Sequence, residues 1–451
     1  MLALRGRRQI FGTLLRVLLA IAALVGLPAL SVAKEAVVMH IDGAIGPASA
    51  SYVADGLEQA RQRDAALVVL EMDTPGGLDT SMRQIIQDIL AMPIPVVTYV
   101  HPSGARAASA GTYILYASHF AAMTPGTNLG AATPIQIGGP TSGGEDEDED
   151  GAAMNAHERK AVNDAVAYIR SLAEMRGRNA DWAEQAVREA SSLSASAALK
   201  EGVIDIVASD LPSLLDQLNG KTVTIDGRAR TLDTAGLSIH EIEPDWGTKL
   251  LATITNPNIA LILMMIGIYG LIFEFLNPGA LVPGTVGAIS LLIGLYALAA
   301  LPVDFAGLAL IVLGIALMVA EAFVPSFGVL GIGGTVAFVI GAAVLFDTDI
   351  PAFRVSWSVI AALGVFSAGL LILVARVGIG ALRHRIVTGS EELVGSTATV
   401  LDWHNGKGHV FVHSERWNAQ GPATLNKDET VVIEKVTGLD LTVSPAQQTE
   451  T

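Results

Sequence analysis

The stretch YVHPSGARAASAGTYILY, Tyr99–Tyr116, decides how this chain is read. An apolar strand ends near Val100, and Pro102 and Gly104 break it. Small residues then lead into Ser109-Ala110-Gly111, where a helix can begin. A serine at that point lies in the positive field of a helix N-terminus, with only small neighbours to hinder a substrate. Upstream, LVVLEMDTPGGL (Leu67–Leu78) ends a second apolar strand in Pro75-Gly76-Gly77. Two glycines at a strand end leave backbone N–H groups open to a carbonyl oxygen, the geometry an oxyanion hole needs. The pair of segments predicts a nucleophile beside an anion cradle.

Working outward, the chain from Ala36 to about Ala208 alternates strand and helix patterns. Strands are expected at Ala36–Ile41, Ala66–Met72, Pro95–Val100, Phe120–Met123 and Val203–Val207. Helices are expected at Ala50–Arg63, Leu78–Leu90, Ser109–Ser118, Asn155–Arg176 and Asp181–Glu189, the last opened by an Asp181/Glu184 capping box. Such alternation implies crossover connections and a largely parallel sheet, an α/β domain. GGPTSGGEDEDEDG, Gly138–Gly151, carries six consecutive acids and cannot bury a core, so residues 139–151 read as a flexible acidic loop.

Composition bounds the rest. The chain has 451 residues, more than one ordinary domain, and is 51% hydrophobic with a formal net charge of -16. That acidity argues against a nucleic-acid partner. With no cysteine there is no thiol nucleophile, disulfide or thiolate metal site, and the nine histidines lack metal-ligand spacing. No metal and no cofactor are expected.

Arg5, Arg7, Arg8 and Arg16 flank an apolar run, Val17 to Leu30, followed by Ser31-Val32-Ala33. This is the pattern of an export signal over residues 1–33, with a retained anchor as the alternative. A soluble domain is then expected over 34–247. From 248 to 378 the chain turns apolar, with about five spans near 258–275, 281–301, 305–324, 328–346 and 355–375. Each approaches or reaches the ~20 residues that cross a bilayer, and their many glycines allow helices to approach closely. Arg376, Arg383, His384 and Arg385 follow the last span, so the positive-inside rule expects a cytoplasmic C-terminal segment and an extracytoplasmic first domain. In the tail, 379–451, short alternating runs at Thr397–Leu401, Gly408–Val412 and Thr430–Val436 predict a small barrel or sandwich of about five strands. Trp403 and Trp417 there could pack the core or mark a partner surface.

A serine needs a base to take its proton. The G-x-S-x-G elbow is absent, since the local string is A-A-S-A-G. His101, His119 and His157 are candidates, none with an orienting acid at evident spacing. The alternative is a lysine made less basic by burial. Lys34, Lys160, Lys200 and Lys221 are those of the soluble domain. Lys160 opens a long helix directly after the acidic loop, a position that could bring it over Ser109. The competing reading leaves it solvent-facing and paired with Asp164 at i+4.

LEMDTPGGL, PSGARAASAGTYI, TPGTNLGAATPI (Thr124–Ile135) and KAVNDAVAYIRSLAEMRGRNADWAE occur in that order, and SLSASAALKEGVIDIVA (Ser192–Ala208) follows. Together they resemble the long-form NfeD membrane proteases, Clp-class relatives on the ClpP/crotonase fold. The resemblance spans essentially the whole chain and implies an α/β ClpP/crotonase-like protease domain, a multi-span α-helical region and an OB-fold-like all-β barrel. It implies a serine endopeptidase with a Ser–Lys dyad, Ser109 matching the nucleophile and Lys160 the general base. Gly76, Gly77 and the Ala110 N–H match the oxyanion hole. The implied substrates are hydrophobic segments of stomatin- or prohibitin-like membrane proteins, and the implied assembly is a homo-oligomer in the inner membrane. The acidic insertion before Lys160 departs from the shorter versions. A crotonase-type acyl-CoA enzyme, a non-catalytic scaffold working through the barrel, and a transporter are the competing classes.

Overall fold

The computed structural model describes residues 34–134, 156–324, 326, 328–346, 353–383 and 390–446. The expected export signal, the acidic loop 139–151 and the His157 side chain lie outside the described residues.

The strands are β1 (Glu35–Asp42), β2 (Leu67–Asp73), β3 (Val96–Val100), β4 (Arg106–Ala108), β5 (Phe120–Met123), β6 (Asn128–Gly130), β7 (Ser192–Ser194), β8 (Ile206–Val207), β9 (Thr222–Ile225), β10 (Arg228–Thr231) and β11 (Ser238–Ile242). The helices among them are α1 (Pro47–Gln62), α2 (Asp79–Leu90), α3 (Ala110–Ala117), α4 (Ala156–Arg176), α5 (Ala180–Arg188), α6 (Ala195–Lys200) and α7 (Leu211–Leu218). β1, β2, β3, β5, β8 and β11 form one sheet, order β11-β1-β2-β3-β5-β8, with every pair parallel. All five residues of β3 are buried, as a central strand covered on both faces requires. The five expected strands are all present. β11 adds a sixth beyond Ala208, and its burial pattern is mostly exposed, which is why apolar content did not announce it.

One sheet face holds the main core. α2 buries Met82, Ile85, Ile86 and Ile89, the i, i+3, i+4, i+7 stripe of an amphipathic helix. α1 begins three residues earlier than expected because Pro47 suits the first helical turn. α5 starts differently from the expected capping box. Asn179 is its cap, accepting the Trp182 N–H at 2.9 Å, while Glu184 bonds Arg170 and Arg188. An amide one position outside the helix outcompetes a box because its oxygen reaches the orphan N–H directly.

α8 (Trp246–Ile254) leads into five apolar helices: α9 (Pro257–Leu276), α10 (Val282–Ala300), α11 (Phe305–Phe323), α12 (Val329–Val344) and α13 (Trp357–Arg383). All five expected apolar segments are therefore helical. α9 and α10 are long and apolar enough to cross a membrane, with mean hydropathies of 2.4 and 1.8. The others carry shorter apolar stretches, Phe305–Glu321, Val329–Val344 and Trp357–Leu373. Glycine does what the sequence suggested. A Cβ at Gly270 would stand 2.9 Å from the Gly287 Cα, and one at Gly314 only 2.6 Å from the Gly334 carbonyl oxygen, so each hairpin closes backbone to backbone.

The tail folds as β12 (Thr397–His404), β13 (Lys407–Val412), β14 (Glu415–Gln420), β15 (Thr430–Thr437) and β16 (Asp440–Pro445), a closed five-stranded barrel. Val400, Val410, Val431, Ile433 and Leu441 fill it. Trp403 and Trp417 pack against that core, and the Trp403 indole donates to the Pro422 carbonyl at 2.9 Å. The described residues fall into two compact units, one within 34–320 and 326–367 and the other within 321–324 and 368–446.

Candidate active site

Two backbone bridges bring the Gly76-Gly77 turn and Ser109 together. Thr74 donates its N–H to the Arg106 carbonyl at 2.7 Å, and Ala108 returns one to Thr74 at 3.1 Å, so β4 is fixed beside the end of β2. On the other side Ile45 donates to the Gly76 carbonyl at 2.9 Å and accepts from Leu78 at 2.8 Å. Gly76, at φ +115°, then lies against the serine: a Cβ there would sit 2.6 Å from the Ser109 Cβ.

Ser109 caps α3 at φ 50°, ψ -116°, a conformation costly for any residue with a side chain. It is held by its own N–H donating to the Gly130 carbonyl at 3.0 Å, and Thr112 donates to its carbonyl at 2.9 Å. The buried Thr112 hydroxyl donates to the carbonyls of Ala107 at 2.8 Å and Gly130 at 3.1 Å, tying β4, β6 and α3 into one knot. The Ser109 hydroxyl caps no helix amide. It is left free for chemistry, and strained residues that the surroundings over-determine cluster at functional sites.

The cradle resolves into parts. The Gly76 N–H donates to the Thr74 hydroxyl at 3.1 Å, so Gly76 supplies close approach rather than a free donor. The N–H groups of Gly77 and Ala110 have no acceptor among the described residues. Ala110 is the first residue of α3, where the helix leaves its amides unpaired. These two are the donors available to an oxyanion beside Ser109.

A cleft of about 800 Å³ opens over this point. Pro75, Gly77, Ser109 and Ala110 line it with Ala131–Pro134, and Ala299–Pro302 from the end of α10 contribute as well. Thr133 donates to the Val187 carbonyl at 2.7 Å, which holds that lining segment in place.

Ser109, Gly76, Gly77 and Ala110 are thus brought together. Lys160, the fifth residue of α4, is exposed and makes no hydrogen bond or ion pair among the described residues. Its neighbour Ala161 lines the cleft. The i+4 pairing with Asp164 does not form, because that carboxylate accepts from Arg83 at 2.6 Å. Of the histidines, His119 is buried and accepts the Val96 N–H at 3.2 Å. Burial, helped by Arg176 and Arg178, pushes its pKa down to about 3. His101 stacks on Tyr99 and bonds the Thr124 hydroxyl at 3.2 Å. Burial raises the phenol pKa values of Tyr113 and Tyr168 above the ordinary range, so neither is a ready base. Among the described residues no group of three or more metal-ligating side chains occurs.

Thr74, Thr112 and Gly130 were not singled out from sequence. Hydroxyls bonding to distant carbonyls carry no local pattern. Arg83 had one readable signal, Asp79 at i-4, with which it pairs at 2.8 Å.

Comparison with known proteins fits this architecture. Residues 36–227 match the N-terminal domain of NfeD1b, 258–376 the NfeD integral membrane domain, and 390–445 the NfeD-like C-terminal, partner-binding domain. The membrane-bound protease PH1510 of Pyrococcus horikoshii is 36% identical over 443 residues, 95% of this chain and 97% of that protein. The chain is a member of the NfeD family. The membrane protein NfeD1b of Bacillus subtilis is 29% identical over 300 residues, 64% of this chain and 62% of its own.

Solved structures similar to this NfeD protein include the 1510-N membrane-bound stomatin-specific protease as a serine-to-alanine variant, at 37% identity. It covers 47% of this chain and 99% of that one, with a TM-score of 0.42. A lysine-to-alanine variant in complex with a substrate peptide is 36% identical, covering 49% of this chain and 97% of that one, with a TM-score of 0.43. As the family and its apolar helices require, this NfeD protein is a membrane protein.

Proposed function

We propose that this chain is a membrane-bound serine endopeptidase that cleaves hydrophobic peptide segments with a Ser109–Lys160 dyad. The observation that carries the reading is the strained Ser109, its hydroxyl uncommitted, beside the two unpaired N–H groups of Gly77 and Ala110. A scaffold has no use for a serine held at that cost.

In this reading a peptide lies along Ala131–Pro134. The Ser109 Oγ attacks the scissile carbonyl while Lys160, reaching in from α4 in its neutral form, takes the hydroxyl proton. The carbonyl oxygen becomes an oxyanion that accepts from Gly77 and Ala110. One such donor is worth about 3 kcal/mol of transition-state stabilisation. Lys160 then gives its proton to the leaving amine, and water releases the acyl group from Ser109. Lys160 is exposed, and in this reading an apolar segment bound in the cleft excludes water around it. That fits a preference for hydrophobic segments. PH1510 and its 1510-N domain are named for membrane binding and for stomatin, which supports a stomatin-like membrane protein as substrate.

The barrel offers the partner-contact surface in this reading, with a groove of about 470 Å³ among Trp403, His404, Lys407, His409 and Asp440. Five crossings, with Arg376, Arg383, His384 and Arg385 after the last, give a cytoplasmic barrel and an extracytoplasmic protease domain. Self-association into a dimer or larger body accompanies this reading as a Clp-class resemblance.

The test is cleavage of a panel of hydrophobic peptides by the full chain in detergent, read by mass spectrometry, beside Ser109→Ala and Lys160→Ala. Products from the parent alone support the dyad. Full activity in Lys160→Ala removes the lysine from the mechanism, and inertness of all three favours the scaffold.

A further inference from the structure

Arg83 joins its own helix, α2, to α4. Its Nε donates to Asp79 on α2 at 2.8 Å and a terminal nitrogen to Asp164 on α4 at 2.6 Å. Its guanidinium also lies 4.5 Å from the centre of the Tyr168 ring on α4. Tyr168 stacks on Tyr113 of α3 with centroids 6.1 Å apart, and the Tyr113 hydroxyl donates to the Ala132 carbonyl in the cleft wall at 3.2 Å. Tyr113 is one helical turn beyond Ser109, and Asp164 is one turn beyond Lys160. A planar fork that serves two carboxylates and a ring face at once is chemistry that lysine cannot copy.

We propose that Arg83 is a positioning residue for Lys160: it holds α4 against α2 and occupies the Asp164 carboxylate, so that the lysine one turn away is left unpaired. The inference rests on the Ser109–Lys160 reading above. A free carboxylate at i+4 from a lysine is an ion-pair partner by default. Paired so, the ammonium keeps its proton and cannot serve as base. With Arg83 bonded to one oxygen at 2.6 Å, the charge of the Asp164 carboxylate is largely neutralised, which weakens its pull on an ammonium. Among the described residues the charged groups around the site can be named. Asp79, Arg83, Arg106 and Asp164 line the cleft. Glu158 and Arg159 immediately precede Lys160 on α4, and Arg188 on α5 donates to Asn163 at 3.3 Å. Both nearby phenols, Tyr113 and Tyr168, stay protonated. Among these, Asp164 is the carboxylate at helical pairing distance whose availability Arg83 controls.

The experiment is the pH dependence of kcat/KM for a fluorogenic hydrophobic peptide, using the full chain in detergent. Its readout is the midpoint of the limb that rises with pH. In Arg83→Gln that midpoint should move up by at least 0.2–0.4 pH unit, the size of an exposed i,i+4 pair, and by more in a filled cleft. Arg83→Gln/Asp164→Asn should bring it back to the parent value, and Asp164→Asn alone should leave it in place. Arg83→Lys, which can serve only one carboxylate, should shift it part-way and covers the case in which the glutamine variant does not fold. An unmoved midpoint in both Arg83 variants overturns the proposal, as does an equal shift in the single and double variants. Lys160→Ala, run beside them, separates the two readings. If it is inactive while the Arg83 midpoints stay put, only the positioning role falls. If it is fully active, both fall.

Discussion

Substituting Gly76 by alanine tests the serine side of the proposed dyad. The new Cβ would stand 2.6 Å from the Ser109 Cβ and 3.1 Å from its hydroxyl oxygen. Carbon atoms rest at about 3.5–4.0 Å, so one of the two loops has to retreat by roughly 1 Å. Both are bridged to their neighbours on either side, and Ser109 is already held at a costly φ, which leaves the displacement to fall on the nucleophile. A 1 Å misplacement costs about 100-fold in rate, or about 2.7 kcal/mol of barrier. The alanine also pays for the backbone itself, at φ +115°, on the order of 1–3 kcal/mol of stability. Gly104→Ala is the control, because that glycine has φ +93° and nothing within 4 Å of its virtual Cβ. Steady-state peptide hydrolysis should show kcat falling about 100-fold in Gly76→Ala with a smaller change in KM. Gly104→Ala should lose stability and keep its kcat. A Gly76→Ala enzyme within threefold of the parent would refute the argument, and so would an equal loss of kcat in Gly104→Ala.

Three further outcomes follow from the same geometry. Because burial holds His119 neutral down to about 3, the unfolded chain binds a proton there that the folded one refuses. Stability is therefore full above about pH 6.5 and falls, by up to ~1.4 kcal/mol per pH unit, as pH drops from 6.5 towards 3; denaturation midpoints of the N-terminal domain should lose that slope in His119→Gln. Arg178 is buried and donates to the carbonyls of Leu115, Tyr116 and Ser118 and to Asp205 at 2.6 Å. Arg178→Met strands those acceptors at an expected cost of about 3–5 kcal/mol, on the order of 10 °C in melting temperature, and an unchanged melt would show the cluster to be idle. A fluorescent-protein fusion at Thr451 should glow inside the cell, and an active periplasmic reporter there would reverse the topology.

The parallel sheet was legible because its central strands are continuous apolar runs. β2, β3 and β5 are almost wholly buried and β1 buries its run Ala36–Met39 and Ile41, so the few polar positions, His40, Glu71 and Thr98, do not break the apolar signal. β11 was not, since an edge strand with three of five residues exposed reads as loop. The strained Ser109 and the glycine turn beside it were legible for a different reason. Positive φ and close approach demand glycine and small residues, so PGG and AASAG are the direct imprint of the backbone they must adopt. The division of labour between the glycines was hidden. Whether Gly76 or Gly77 offers its N–H depends on the Thr74 hydroxyl, and a threonine at a strand end looks the same with or without that bond.

The pairing of Lys160 shows where sequence periodicity misleads. Spacing alone offers Asp164 at i+4, and an isolated helix would take that pair. In the folded domain a guanidinium from α2 reaches Asp164 at 2.6 Å and already has Asp79 and the Tyr168 face as further partners. The local option yields a single exposed pair, worth about 0.3–0.5 kcal/mol, while the tertiary one joins four groups and brings α4 to the cleft. The tertiary arrangement wins on that comparison, and it leaves Lys160, next in sequence to the cleft-lining Ala161, without an ion pair among the described residues. In the proposed dyad the serine half would thus rest on backbone strain at the start of α3, and the lysine half on charge pairing between helices. The first half should withstand changes of salt and pH that disturb the second.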